Sequence, residues 1–174
     1  MKRYLPLVGL LALGCSDTVS DTALGFEAPP DAGAPDAAPD ALPVEPVGLV
    51  INEVAAAGDP DDWFELYNGT ATTIDLSRYW FSDDADEPLA VQFSSDAFIE
   101  PGAYYVQYMT DDVGIGLGKE EEVIVTHPDG LVVDHVEWLE GQSPEAASFA
   151  RIPNITGAFV TIEAPSPGAA NEGV

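Results

Sequence analysis

Cysteine occurs once in this 174-residue chain, at Cys15, so no intrachain disulfide can staple the fold and no thiolate cluster can hold zinc. Basic residues are scarce too: Lys and Arg together number 5 against 31 Asp plus Glu, a formal charge of −26. Such a surface repels phosphate backbones and anionic lipid headgroups, which excludes nucleic acid and leaves cationic partners. Self-repulsion on this scale costs stability, and bound metal ions would relieve it. Histidine appears only at His127 and His135, with no cysteine beside either in the mature fold, and His127 precedes Pro128 in a turn, so a zinc site is not expected. Helical periodicity is also missing, since no window of helical length carries a 3.6-residue apolar stripe. Gly114-Ile115-Gly116-Leu117-Gly118 is not followed by Lys-Ser or Lys-Thr and is no phosphate-binding loop. Without a nucleophile-elbow pattern around any serine, a hydrolase triad is not expected either.

What the chain does contain begins at its amino terminus. Lys2 and Arg3 precede an apolar run over 5–13, broken only by Pro6 and Gly9, and Gly14-Cys15 closes it. The run is too short to span a bilayer and has the layout of a secretory signal, placed at 1–15. Ala12-Leu13-Gly14-Cys15 resembles the bacterial lipobox, which implies that Cys15 is diacylated on sulfur and becomes the mature amino terminus. It departs from the usual pattern at Ala12, where Leu is common, and at Leu13, where a small residue is common. The location implied is an exported lipoprotein, anchored at the bacterial cell envelope. Ser16, with no Asp directly after the cysteine, is similar to lipoproteins sorted outward to the outer membrane or cell surface.

Over 16–46 the composition changes. Pro29-Pro30-Asp31-Ala32, Pro35-Asp36-Ala37 and Pro39-Asp40-Ala41 repeat one Pro-Asp-Ala unit, with no aromatic residue after Phe26. Such a stretch cannot bury enough apolar area to offset its ordering entropy, so it is expected to be a disordered tether. Proline favours polyproline II, and at about 3.1 Å per residue the tether would reach roughly 90 Å at most.

The remaining residues, 47–174, alternate in the manner of strands. Strands are expected at 49–54, 63–68, 72–75, 78–82, 89–93, 103–109, 122–126, 132–138 and 148–152, with one more at 158–162. Asn68-Gly69, Pro101-Gly102 and Asp129-Gly130 supply turns, and Gly58-Asp59-Pro60-Asp61-Asp62 reads as a loop. Many short strands separated by Gly, Pro and Asp point to an all-β sandwich.

Ile51-Asn52-Glu53, then 62–68 (Asp-Trp-Phe-Glu-Leu-Tyr-Asn), then Ile74-Asp75-Leu76-Ser77 with Trp80 and Ser82-Asp83-Asp84, resemble the opening of the lamin tail domain family. Later signposts follow in the family's order: Pro101-Gly102-Ala103-Tyr104, Gly116-Leu117-Gly118 with Glu121, Gly130 with Val133-Asp134 and Trp138, Ser148 with Arg151, and a closing stretch from Ser166 to Asn171. The resemblance covers about 47–172. It implies an immunoglobulin-like sandwich acting as a binding or structural module rather than an enzyme, and fold alone does not give its function.

Among the motif residues, Glu53 and Glu65 on neighbouring strands invite an acid/base reading, which requires a raised pKa and a cleft. The expectation here is that Glu53, Glu65 and Asn68 accept hydrogen bonds from backbone groups and fix the sandwich. Arg151 is expected to form a structural ion pair, and Trp63, Trp80 and Trp138 to pack in or against the core. Calcium is the one cofactor with a physical motive. Asp59, Asp61 and Asp62 share one loop, Asp83, Asp84, Asp86 and Glu87 a second, and Asp111 with Asp112 a third, although none has the spacing of an EF-hand. Three functions are consistent with these residues. The foremost is a lipid-anchored module that presents its sandwich to a protein or glycan partner; the others are a calcium-stabilised surface adhesion component and an unrecognised hydrolase.

Overall fold

The computed structural model describes residues 48–173; Cys15 and the segments 1–15 and 16–46 lie outside them. In chain order the strands are β1 (Leu49–Ala55), β2 (Trp63–Asn68), β3 (Ile74–Asp75), β4 (Trp80–Ser82), β5 (Val91–Gln92), β6 (Phe98–Ile99), β7 (Tyr104–Tyr108), β8 (Glu121–Thr126), β9 (Val132–Trp138), β10 (Ser148–Ile152) and β11 (Ala158–Ile162). One sheet has five strands in the order β11-β10-β1-β2-β7, a second has four in the order β5-β4-β8-β9, and β3 with β6 makes a two-stranded ribbon. All pairings are antiparallel. Among the described residues no helix is long and apolar enough to cross a membrane.

The two larger sheets close over one core. Ile51, Phe64 and Leu66 from the five-stranded sheet meet Phe81, Val123, Val125 and Val136 from the four-stranded one, all nearly or fully buried. Phe64 and Phe81 stand edge to face with centroids 5.4 Å apart, and Phe81 lies 4.7 Å from Phe93. Aromatic contacts across a sandwich fix the spacing of the sheets as well as burying area.

One irregularity shapes everything on the far side of the five-stranded sheet. The β1–β2 register slips between Ile51 and Glu53. Ile51 and Val54 are three residues apart, yet both belong to the core. A regular strand would put them on opposite faces; the extra residue of a β-bulge puts them on one. Glu53 is thereby turned to the outer face, directly opposite Glu65 on β2.

Several strands differ in detail from the expectation. Residues 72–73 precede the strand at Ile74–Asp75. Residues 78–79 precede Trp80–Ser82, because Leu76–Arg78 forms a 3-10 turn whose cap is Asp75, accepting from the Ser77 N–H at 3.1 Å. Val91–Gln92 is shorter than expected, and Phe98–Ile99 was not expected at all, since two residues cannot display alternation. Asn68-Gly69 turns the chain, but not into a hairpin: β2 pairs with β1 and β7, while the chain after Gly69 leaves the sheet for the ribbon. Asn68 governs that departure. Its side chain is fully buried and donates to the Thr72 and Ile99 carbonyls at 2.8 and 2.9 Å, while its oxygen accepts from the Thr70 N–H at 2.9 Å.

Candidate functional site

Outer sheet faces normally meet water, and two carboxylates placed directly opposite each other there would repel. Glu53 and Glu65 nevertheless have no exposed surface. The reason is a C-terminal strap over 165–171 that crosses the outer face. Ser166 donates to Glu53 through its backbone N–H at 3.0 Å and through its hydroxyl at 2.8 Å, and the Ser148 hydroxyl adds a third donor from β10. Glu65 accepts from the Gly168 N–H and from Asn52 Nδ2 at 3.0 Å. Asn171 ends the strap, donating through Nδ2 to the Asn52 carbonyl at 3.0 Å. Its own N–H donates to Asn154 Oδ1 at 2.9 Å, and Asn154 in turn donates to the Tyr104 hydroxyl at 2.8 Å. Among the described residues no buried side-chain nitrogen or oxygen lacks a partner.

This arrangement fixes the electrostatics of the pair. Burial pushes the Glu65 carboxyl from its ordinary 4.5 up to about 7, against the lowering effect of the Asn52 and Gly168 hydrogen bonds, and the neighbouring Glu53 adds a smaller upward push. One half of the acid/base requirement, the raised pKa, is therefore met. The other half is not: the strap occupies the place where a substrate would sit, and both oxygens of Glu65 are already engaged. The chemistry available to the pair is that of holding the strap.

Arg151 carries a second polar cluster, between the sheets. Its Nη2 lies 3.1 Å from Asp134 Oδ2 on β9, its Nε donates to the Ile51 carbonyl at 2.8 Å, and its Nη1 donates to the Gly157 carbonyl at 3.2 Å. The guanidinium also stacks 4.5 Å over the Phe159 ring. Asp134 Oδ2 accepts in addition from the Ile51 N–H at 2.8 Å, a donor that the bulge leaves free of the ladder. Bulge, ion pair and aromatic face thus lock β1, β9, β10 and β11 together.

Trp63 and Trp138 are buried and Trp80 is half-buried, with Trp138 donating to the Gly118 carbonyl at 3.0 Å. The acidic loops are arranged differently from a cation cage. Asp62 accepts from the Gly58 N–H at 3.2 Å, and Asp84 accepts from the Asp86 N–H at 2.8 Å, so these carboxylates brace their own turns. Asp59, Asp86, Glu87, Asp111 and Asp112 are exposed, and Asp61 and Asp83 half-exposed. Among the described residues no three His, Cys, Asp or Glu side chains converge in a way that could hold a metal ion. The histidines pair separately, His127 with Asp129 and His135 with Glu122, each at 2.7 Å.

Sequence reasoning missed Asn154 and Ser143. Asn154 bridges Asn52, Tyr104 and Asn171, while Ser143 accepts from the Ala56 N–H at 2.9 Å and donates to the Val54 carbonyl at 3.2 Å. Both stand in loops, and their partners lie up to about a hundred residues away, so no local spacing could have revealed them.

Comparison with known proteins gives one match. A model of the Lamin Tail Domain aligns with residues 45–140, which is more than half of the chain and runs through β1 to β9. No curated protein and no solved structure matches. The strands β10 and β11 and the strap lie beyond the matched region, yet they supply Ser148, Arg151, Ser166 and Gly168 to the motif residues inside it. With the all-β sandwich and the buried Asn52-Glu53-Glu65-Asn68 set in place, the chain belongs to the Lamin Tail Domain family and is an immunoglobulin-like binding or structural module.

Proposed function

We propose that the protein is a non-enzymatic module of the bacterial cell envelope, held in the membrane by lipid on Cys15 and presenting its sandwich to a protein or glycan partner at the end of the 16–46 tether. The observation that carries the anchor is the order Lys2-Arg3, apolar run, Gly14-Cys15, with the chain's single cysteine at the one place where acylation would use it. A non-catalytic role is supported by the strap, which saturates the two buried carboxylates that chemistry would need. An outward location is favoured by Ser16 and by a surface that anionic headgroups repel.

The anchor is tested by metabolic labelling with radioactive palmitate and by detergent-phase partition, comparing the native chain with Cys15→Ala. The native chain should be labelled and sediment with membranes, and the variant should be unlabelled and soluble. A variant retained undiminished in the membrane fraction would contradict the anchor.

A further inference from the structure

The two larger sheets leave four edges: β11 and β7 bound the five-stranded sheet, β5 and β9 the four-stranded one. An open edge offers unpaired N–H and C=O groups to any strand it meets, and folds usually blunt it with charge, proline, a bulge or brevity. The four-stranded sheet follows that rule. Its β5 is two residues long, and its β9 carries Asp134, His135 and Glu137. The five-stranded sheet does not: β7 and β11 each have five uncharged residues without proline, in unbroken register with their neighbours. At β11 the Thr161 hydroxyl is tied to the neighbouring loop, donating to the Gln142 carbonyl at 2.8 Å. At β7 the neighbour is a groove.

The open groups of β7 can be named. At one end of its pairing with β2 the Asn68 N–H donates to the Ala103 carbonyl at 3.1 Å, and at the other the Met109 N–H donates to the Asp62 carbonyl at 2.8 Å. Bonded positions alternate along an antiparallel pair, so the ladder to β2 runs through Tyr105 and Gln107. Tyr104, Val106 and Tyr108 therefore aim their N–H and C=O groups away from the sheet. Among the described residues only the Gln107 side chain reaches any of them, donating to the Tyr108 carbonyl at 2.9 Å. The groove beside this edge, between β7 and β5, has a volume of about 300 Å³. Val91, Tyr105 and Val113 line it half-buried, each keeping surface that a side chain can cover, and Gln92 and Gln107 add amides. Just past the end of β7, Asp112 brings an exposed carboxylate to the groove, and Asp111 before it is exposed as well.

We propose that β7 accepts an extended segment of a partner polypeptide as one more strand of its sheet. Backbone chemistry selects the class of ligand, since donors and acceptors alternating at strand spacing are matched by another polypeptide backbone and not by a glycan or a lipid. In antiparallel pairing, partner residues opposite Tyr104, Val106 and Tyr108 would make the ladder. Those opposite Tyr105 and Gln107 would share their face and point into the groove. The amino-terminal end of the segment would lie beside the carboxyl-terminal end of β7, where lysine or arginine would meet Asp111 and Asp112. A second copy of this chain fits less well. Symmetric pairing of two β7 strands about Val106 would set Asp112 of one copy against Glu100 of the other, and each copy carries 31 acidic residues against 5 basic. The inference rests on the reading of the domain as a binding module and gives that module a polypeptide ligand and an edge to hold it.

The test uses the full-length chain in neutral detergent and reads amide hydrogen exchange by NMR. The probe is a capped peptide of two lysines followed by alternating threonine and valine. One control is N-methylated throughout the alternating part, and the other has glutamate in place of lysine. With the probe at about ten times its dissociation constant the edge is free about one-tenth of the time, so exchange at Tyr104, Val106 and Tyr108 should slow about tenfold. Tyr105 and Gln107, whose N–H groups already face β2, should change little, as should Val160 on β11. The N-methylated control should give no protection, and the glutamate control should bind at least about threefold more weakly. Val106→Pro removes one open N–H where an edge strand tolerates proline, and should abolish protection at Tyr104 and Tyr108. Should that variant fail to fold, the N-methylated control carries the decision. No protection at millimolar probe, equal protection by the N-methylated control, or protection without the alternation would each overturn the proposal. So would protection of the three amides in the absence of probe, which would put a segment of this chain or of a second copy at the edge. Labelling of Cys15 is scored separately: a labelled chain with an inert edge would sink this inference and leave the anchored module standing.

Discussion

Replacing Glu65 with glutamine tests the buried pair most directly. In the folded protein the Glu65 carboxyl is raised to about 7, chiefly by burial, whereas in the unfolded chain it returns to about 4.5. A carboxyl whose folded pKa is raised favours folding while it is protonated. Its contribution is therefore fully present below about pH 4.5 and is lost as the pH rises through 7. Between pH 5 and pH 8 the loss is roughly 2–3 kcal/mol, using about 1.4 kcal/mol per pKa unit. Glu65 has no exposed surface, so no discount for solvent screening applies. The other carboxylates also change the stability over this range, which is why the variant is needed. Glu65→Gln keeps the shape and one acceptor but leaves either Gly168 N–H or Asn52 Nδ2 without its partner, a pH-independent cost of about 1–3 kcal/mol. The difference between the two proteins isolates the titration. Urea unfolding at pH 5, 6, 7 and 8 should show the native protein losing roughly 2–3 kcal/mol relative to the variant from the acid to the alkaline end. With an m-value of about 1.5 kcal/mol/M, the gap between the two midpoints changes by roughly 1.5 M. Parallel profiles would refute the reasoning. A native protein that gained on the variant as the pH rose would reverse it, showing that the hydrogen bonds from Asn52 and Gly168 outweigh burial.

Three other perturbations have defined outcomes. Asn68→Ala removes the donors to the buried Ile99 carbonyl and to the Thr72 carbonyl, together with the acceptor for Thr70, and should cost about 2–4 kcal/mol by urea unfolding with little change in m-value. Gly157→Ala should be worse, because a Cβ there would lie 1.9 Å from the Ile152 carbonyl carbon, against backbone that cannot give way. A loss of solubility or a fall in melting temperature of more than about 10 °C is expected by circular dichroism. Calcium and magnesium at equal ionic strength should raise the melting temperature equally and slightly, since the loops at Asp59, Asp83 and Asp111 do not converge on a common ion. A calcium-specific rise of several degrees would instead establish a folded-state calcium site.

The sequence by itself determined the composition-level exclusions and the class of fold. One cysteine left no pair for an intrachain disulfide, the lack of a helical stripe pointed to an all-β chain, and period-2 alternation placed β1, β2, β9, β10 and β11 to within a residue. Those features are local or additive, so they can be read without knowing which strands pair. The motif residues Asn52, Glu53, Glu65, Asn68 and Arg151 were also visible as a set, through their resemblance to a family. Their roles were decided only by tertiary structure. A one-residue bulge turned Glu53 outward, and a strap more than a hundred residues away in sequence covered it, so an outer-face carboxylate became a buried one. Bulges and straps leave no periodic trace, because each depends on which backbone groups a distant segment needs to satisfy.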